Sequence, residues 1–251
     1  MEKKTIVVVG ATGAQGGGLV RAILADPTGG FAVRAVTRDV GTEKARQLAK
    51  LGAEVVAANV DDAESLKQVF RGAHGAYCVT FFWDHFFSDR GVPTTYLLTS
   101  FYWDNLIHFG MGPKKGPDGK LAFVLPMADK KLPGIAAGDI GGCAYGVFKG
   151  GTKYIGKRIG IAGEFLTGAE MAADLSRVLE QEVAYNYVPP EIYRTFGFPG
   201  ADDLANMFQF KRDFEAEFCG ARDLALSRAL NPKLQTFAQW LGANKDQIPP
   251  G

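Results

Sequence analysis

The sequence predicts an α/β protein, a doubly wound parallel sheet with a smaller C-terminal α/β cap lobe. Three observations predict it. Residues 5–9 (TIVVV) are a short β-branched run, the composition of a buried parallel strand, and glycines and an apolar helix follow at once. Strand-like and helix-like segments then alternate as far as residue 80. The 251 residues suffice for one large domain, or one domain with a smaller lobe.

Gly10, Gly13 and Gly16 fall in the spacing G-x-x-G-x-x-G, between the first strand and a helix. A turn this tight needs positive φ, which glycine adopts without a Cβ penalty. A missing side chain lets the backbone approach a pyrophosphate. The helix N-terminus then offers N–H groups and a partial positive charge to that anion. Strand, glycine turn and helix in this order open a Rossmann-type dinucleotide-binding βαβ unit. The alternative is a tight strand–helix turn with no ligand.

Residues 14–25 form the first expected helix, ended by Asp26-Pro27-Thr28-Gly29-Gly30. Residues 31–37 (FAVRAVT) are the second strand, and Arg38 and Asp39 follow it. A carboxylate at this position accepts from a ribose 2′-hydroxyl and favours NAD. A guanidinium cannot accept, but suits a 2′-phosphate. Arg38 therefore points to NADP(H) in preference to NAD(H), while Asp39 keeps NAD as the minority reading. Lys44 and Arg46 either assist the phosphate or form a solvated face. Residues 42–51 are a helix stopped by Gly52, and 53–58 are the third strand. Val60, Asp61 and Asp62 follow where such folds border the adenine; Asp62 equally suits the N-cap of a helix at 63–70. Residues 76–80 (AYCVT) are the fourth strand. Phe81, Phe82 and Trp83 stand at its carboxyl end, either walling a nicotinamide pocket or packing under a loop.

Composition excludes several classes. Net charge is +1, which makes no case for nucleic acid or an anionic membrane. No apolar run approaches the ~20 residues of a membrane span. Met1-Glu2-Lys3-Lys4 leads straight into a strand and reads as no signal peptide. Cys78, Cys143 and Cys219, odd in number and widely spaced, read as reduced thiols of a cytoplasmic protein. His74, His85 and His108 show no metal spacing, so no metal site is expected.

In the second half, residues 94–99 read as a strand and 101–106 as a loop entering a helix, with aromatics that line a pocket or pack. Residues 114–120 read as a hairpin-type turn, 121–125 as a strand, and 137–149 as a helix capped by Asp139. Residues 167–179 are a helix with a Thr167/Glu170 capping box, and 183–188 are a strand. Pro189-Pro190-Glu191 starts a further helix. The aromatic and Met positions of 196–220 are expected in a small cap lobe that closes over a ligand. Residues 222–230 are helical, Asn231-Pro232 breaks them, and 236–241 form a last amphipathic turn.

Several stretches carry a resemblance: VVVGATGAQGG at 7–17, VTRD at 36–39, GAEVV at 52–56, VTFFW at 79–83, GVPTTYLLTSFYWDNL at 91–106, PDGKLAFVLP at 117–126 and FGFPGADDLANMFQF at 196–210. Through them the chain resembles the NmrA-like family, NADP-binding relatives of the short-chain dehydrogenases. The resemblance implies NADP(H) bound by Gly10, Thr12, Gly13, Ala14, Gln15, Gly16, Arg38, Asp61, Asp62, Thr80 and Phe81. It implies a dinucleotide-binding domain at 1–110, and at 111–251 the rest of the sheet interleaved with the smaller lobe. It also implies a redox sensor or regulator that acts through a protein partner or a homo-oligomer.

One feature departs from the family. Arg90 runs directly into Gly91, and about fifty to sixty residues of helix, strand and loop are missing there by usual element lengths. That segment normally carries the Ser/Thr and the Tyr- or Lys-bearing helix near the nicotinamide, so no catalytic residue is assigned. Tyr145 and Lys149 spell the Y-x-x-x-K of short-chain dehydrogenases, where the tyrosine is the general acid and the lysine lowers its pKa. By the resemblance, however, they lie on the helix beyond the catalytic one. Three functions remain open: the sensor, an NADPH-dependent oxidoreductase of a quinone or other small carbonyl (with Tyr102 or Tyr145 as candidate proton donors), and a shortened form with impaired binding.

Overall fold

The computed structural model describes residues 2–79, 91–116 and 118–249. In chain order its elements are β1 (Lys4–Val9), α1 (Ala14–Leu24), β2 (Phe31–Thr37), α2 (Glu43–Lys50), β3 (Glu54–Ala57), α3 (Ala63–Phe70) and β4 (Gly75–Tyr77). Then come β5 (Tyr96–Leu98), β6 (Phe101–Tyr102), α4 (Asn105–His108), β7 (Lys114–Lys115), β8 (Leu121–Leu125), β9 (Leu132–Ile135) and α5 (Ala137–Lys149). The chain ends with β10 (Arg158–Gly160), β11 (Glu164–Leu166), α6 (Gly168–Leu179), β12 (Val183–Tyr187), α7 (Pro190–Tyr193), α8 (Ala201–Asp213), α9 (Glu215–Gly220), α10 (Leu224–Leu230) and α11 (Phe237–Asn244). The result is the expected α/β class.

The chain forms two compact units. The first comprises Met1–Tyr96, Ala137–Arg158 and Ala229–Lys233; the second takes the remainder. In the first unit four strands pair in the order β3-β2-β1-β4. Every pairing is parallel, with Val7 opposite Arg34 and Ala76, and Val36 opposite Val56. Ile6, Val7 and Val8 are fully buried. That is why the first strand reads as a continuous apolar run and not an alternation.

Helix α1 turns a glycine face to α5. A Cβ on Gly18 would lie 2.1 Å from the Gly138 carbonyl oxygen, and one on Gly141 would lie 2.0 Å from the Leu19 nitrogen. The two helices approach backbone to backbone, where a side chain has no room.

The second unit has two three-stranded sheets. In one, parallel β8 and β12 are flanked by antiparallel β7; in the other, β9 lies between antiparallel β11 and parallel β6. Its core gathers Trp103, Phe123, Phe208, Phe237 and Trp240, and the Trp103 and Phe237 rings stand 5.4 Å apart. Capping boxes fix the starts of α6 (Thr167, Glu170) and α11 (Thr236, Gln239), each satisfying two N-terminal donors.

Several sequence expectations are corrected here. Residues 101–106 are not loop from the outset, because Phe101 and Tyr102 form β6 on β9. Strand β9 was unforeseen because Pro133 and Gly134 argue against a strand interior. All four of its residues are nevertheless buried, and Pro133 sits opposite Phe165. Asp139 is not the cap of α5, which begins at Ala137; it lies in the first turn, where its charge suits the helix dipole. The strand expected at 94–99 shortens to β5 and pairs with β10. Thr80, Phe81, Phe82, Trp83 and Arg90 lie outside the described residues.

Two glycine substitutions separate packing from chain entropy. Gly18→Val should destabilise the fold by about 3 kcal/mol or more, because the obstructing atom is a backbone carbonyl. Gly242→Ala, at a helical site with nothing within 4 Å of a new Cβ, should stabilise it by about 0.5–1 kcal/mol. Denaturant midpoints with unchanged m-values check both.

Candidate dinucleotide site

The carboxyl edge of the first sheet carries the predicted residues from Gly10 to Gly16 and from Arg38 to Asp62. Strand β1 ends beside β2, with Val9 opposite Val36 and the Ala11 N–H donating to the Val36 carbonyl at 3.4 Å. Gly10 then turns the chain with φ +72°. The Gly13 N–H closes the turn on the Gly10 carbonyl at 3.0 Å. A Cβ on Gly16 would lie 2.4 Å from that same carbonyl oxygen, so the loop folds onto the first turn of α1 only with glycine there. Gly13, the N-cap of α1, has no side chain with which to cap the helix, and the first turn holds no acidic residue. Thr12 and Gln15 are half-buried, and Gly13 and Ala14 are exposed. A helix start left without a carboxylate or hydroxyl cap is suited to an external anion.

Two residues beyond Val36, Arg38 is exposed, and no described residue hydrogen-bonds or ion-pairs with it. Asp39 differs. Its Oδ1 accepts the Gly41 N–H at 2.7 Å. The Asp39 carbonyl takes the hydroxyls of Thr37 and Thr42, each at 3.3 Å, while Thr42 Oγ1 caps α2 by accepting the Ala45 N–H at 3.2 Å. The loop thus occupies one carboxylate oxygen and leaves the guanidinium uncommitted.

On the far side of β2, Ala57 stands opposite Thr37, and the Ala58 N–H donates to the Thr37 carbonyl at 3.0 Å. Of the two following acids, Asp62 caps α3 by accepting the Glu64 N–H at 3.0 Å. Asp61 is exposed, and its own N–H donates to Asn59 Oδ1 at 3.1 Å.

Sequence reasoning placed Val60 with Asp61 and Asp62 at the adenine border, and missed Tyr77, Val40 and Val79. The Tyr77 hydroxyl at the end of β4 donates to Gln15 Oε1 at 3.1 Å and so holds a loop side chain. Val40, Val60 and Val79 follow β2, β3 and β4 and are 46%, 52% and 61% exposed. Apolar side chains left in water after three successive strands suit a flat apolar ring. The available signal was their position directly after a strand; their exposure was not legible.

Tyr145 and Lys149 stand elsewhere. The Tyr145 hydroxyl donates to Asp26 Oδ2 at 3.0 Å, and Lys149 Nζ reaches the same oxygen at 3.2 Å. Asp26 closely follows the C-terminal end of α1, a helix about 16 Å long at 1.5 Å per residue. The cluster is therefore far from the glycine turn. Hydrogen bonds from Thr28, Tyr145 and Lys149 hold the Asp26 carboxyl below its usual pKa. Burial and the Asp26 bond push the Tyr145 hydroxyl from 10.0 up to about 12, opposite to what a general acid near neutrality needs. The pair ties α5 to the α1–β2 turn.

Among the described residues no His/Cys/Asp/Glu group is placed to hold a metal, and no helix is long and apolar enough to cross a membrane.

With this geometry in hand, comparison with known proteins is specific. The model of the NmrA-like family matches residues 2–89 and 86–241. An NmrA-like family domain-containing oxidoreductase of Aspergillus versicolor, notA′, is 40% identical over 108 residues, which is 43% of this chain and 30% of that protein. The match thus spans about a third of the relative's length. NmrA, described as a negative transcriptional regulator and solved with NADP, superposes with TM-score 0.75 at 21% identity over 96% of this chain and 95% of its own. The same protein is also solved with NAD. The Citrobacter sp. triphenylmethane reductase, complexed with NADP(H), gives TM-score 0.72 at 20% identity over 97% of this chain and all of its own. These likenesses below 25% identity establish a shared fold.

Tyr145→Phe tests the structural reading of the Y-x-x-x-K pair. A folded-state pKa raised from 10.0 to about 12 contributes stability that is present below pH 10 and lost as pH rises through about 12. The variant should lose stability less steeply across that window, with dinucleotide affinity unchanged. Denaturant titrations at stepped alkaline pH and calorimetry check the two parts.

Proposed function

The chain belongs to the NmrA-like family, and on that premise we propose that it binds NADP(H) in preference to NAD(H) and acts as a cytoplasmic redox sensor through a regulatory protein partner or a homo-oligomer. The observation that carries the cofactor preference is the contrast at the end of β2. Arg38 is exposed and uncommitted, while Asp39 is held by the Gly41 N–H. A 2′-phosphate gains a charge-assisted contact there, and a 2′-hydroxyl meets a carboxylate already engaged.

The residues present fit a dinucleotide. The turn from Gly10 to Gly16 and the uncapped start of α1 would hold the pyrophosphate, with Thr12, Ala14 and Gln15 lining it. Tyr77 steadies Gln15. Val40, Val60 and Val79 offer apolar surface, Asp61 a hydrogen-bond acceptor, and Asp62 keeps α3 capped beside it. Thr80 and Phe81, next along the chain, belong to the same proposal. The bound nicotinamide would supply hydride; the chain's own part is to orient it. Sensing follows if the bound and free states present different surfaces to a partner.

A second reading is an NADPH-dependent oxidoreductase of a quinone or other small carbonyl. It is favoured by the relatives, which are named oxidoreductases, and by a reductase among the structural neighbours. An NADPH-oxidation assay with a quinone separates the two. Turnover supports the enzyme, and binding without turnover supports the sensor.

Arg38→Ala should weaken NADPH about tenfold and leave NADH nearly unchanged, the scale of one charge-assisted contact. Equal losses for both cofactors in calorimetric titrations would contradict the assignment of the 2′-phosphate to Arg38.

A further inference from the structure

Lys211 and Arg222, in the second unit, are two neighbouring cations without a carboxylate. Lys211 lies on α8 and is only 8% exposed. Its ammonium stands 5.7 Å from the centre of the Phe208 ring and 5.2 Å from that of Phe218. The Arg222 guanidinium lies 3.6 Å over the Phe218 ring. Arg222 Nε and Nη2 donate to the Thr99 carbonyl at 3.3 and 2.7 Å, Nε also reaches Ser100 Oγ at 3.1 Å, and Nη1 donates to the Phe218 carbonyl at 2.8 Å. These bonds fix the guanidinium plane and leave a further N–H on each Nη.

Of the acids next to these residues in sequence, Glu217 is exposed and bonds to neither cation, and the other three are engaged elsewhere. Asp213 accepts from Arg212 Nε at 2.8 Å, Glu215 takes the Lys131 N–H at 2.6 Å and pairs with Lys130 at 3.6 Å, and Asp223 accepts the Leu226 N–H at 2.9 Å. Among the described residues neither cation has an acidic partner.

A buried ammonium is normally paired, because desolvation without a counter-charge is costly. Ring faces offset part of that cost, and the repulsion from Arg222 adds to it. Burial first, and then Arg222, lower the Lys211 pKa to about 8. Phe218 and Arg222 are half-buried, and among the described residues no fully buried side-chain nitrogen lacks a hydrogen-bond partner, so the unbonded Lys211 ammonium keeps some contact with solvent. A fixed guanidinium with spare donors, a nearby ammonium and one apolar ring match a planar two-oxygen anion.

We propose that Lys211 and Arg222 form an anion site for the carboxylate of a small organic molecule, with Phe218 as its apolar wall. The inference stands on the second unit alone and does not depend on the dinucleotide reading.

The test is calorimetric titration of the full chain at neutral pH and constant ionic strength with benzoate, against benzamide as the uncharged isostere. Benzoate should bind at least about tenfold more tightly than benzamide. Lys211→Met keeps the apolar stem and removes the unpaired charge. It should lose benzoate affinity about tenfold or more and melt above the wild type. Equal binding of benzoate and benzamide to the wild type would overturn the proposal, as would Lys211→Met with undiminished benzoate affinity or a lowered melting temperature. Should Lys211→Met fail to fold, Arg222→Lys replaces it, keeping the charge but losing the fork. A severalfold loss of benzoate affinity supports the site, and undiminished affinity overturns it.

Discussion

The close approach of backbone to backbone around helix α1 is the constraint on which the first unit depends. Gly16 brings the helix against the Gly10 carbonyl, and Gly18 and Gly141 bring it against α5. None of these positions tolerates a Cβ without displacing main-chain atoms. The same approach fixes the direction of α1 relative to the sheet, and so the direction in which its uncapped N-terminus points. On the proposed reading, packing and anion recognition are therefore not separable here. The glycines that allow the helix to dock also create the turn from which a phosphate would be held.

The loop after β2 shows how a short sequence allots roles to adjacent charges. Arg38 and Asp39 are neighbours, yet the loop engages only one of them. The Gly41 N–H occupies an Asp39 oxygen, and the two threonines close around its carbonyl. This arrangement costs no buried charge, since the segment is exposed. It leaves a cation facing solvent just after β2, and on the proposed reading a 2′-phosphate would gain more there than a 2′-hydroxyl. The exposed valines after β2, β3 and β4 complete an edge with one charged and one apolar character.

Much of this edge was legible in the sequence because its causes are local. A β-branched run, glycines at fixed spacing and a following helix define the opening unit. Asp62 defines the cap of α3, and in the second unit Thr167 with Glu170 defines a capping box. What was not legible depends on partners distant in the chain. Tyr77 meets Gln15 across 62 residues, and Tyr145 meets Asp26 across 119. The order of elements could set the Y-x-x-x-K pair aside, but could not name its partner. Strand β9 was hidden because Pro133 and Gly134 are poor strand formers, and tertiary burial overrode that local preference. Lys211 was hidden for the same reason: a lysine in a charged, aromatic stretch reads as solvated until its burial is seen.

The most direct measurement of the central claim is a calorimetric titration of the unmodified chain with NADPH and, separately, with NADH. NADPH should bind saturably and roughly tenfold or more tighter than NADH, as one charge-assisted 2′-phosphate contact allows. Equal affinities would contradict the role of the β2 loop. Absence of binding by a folded chain would contradict the dinucleotide site itself and favour a shortened form with impaired binding.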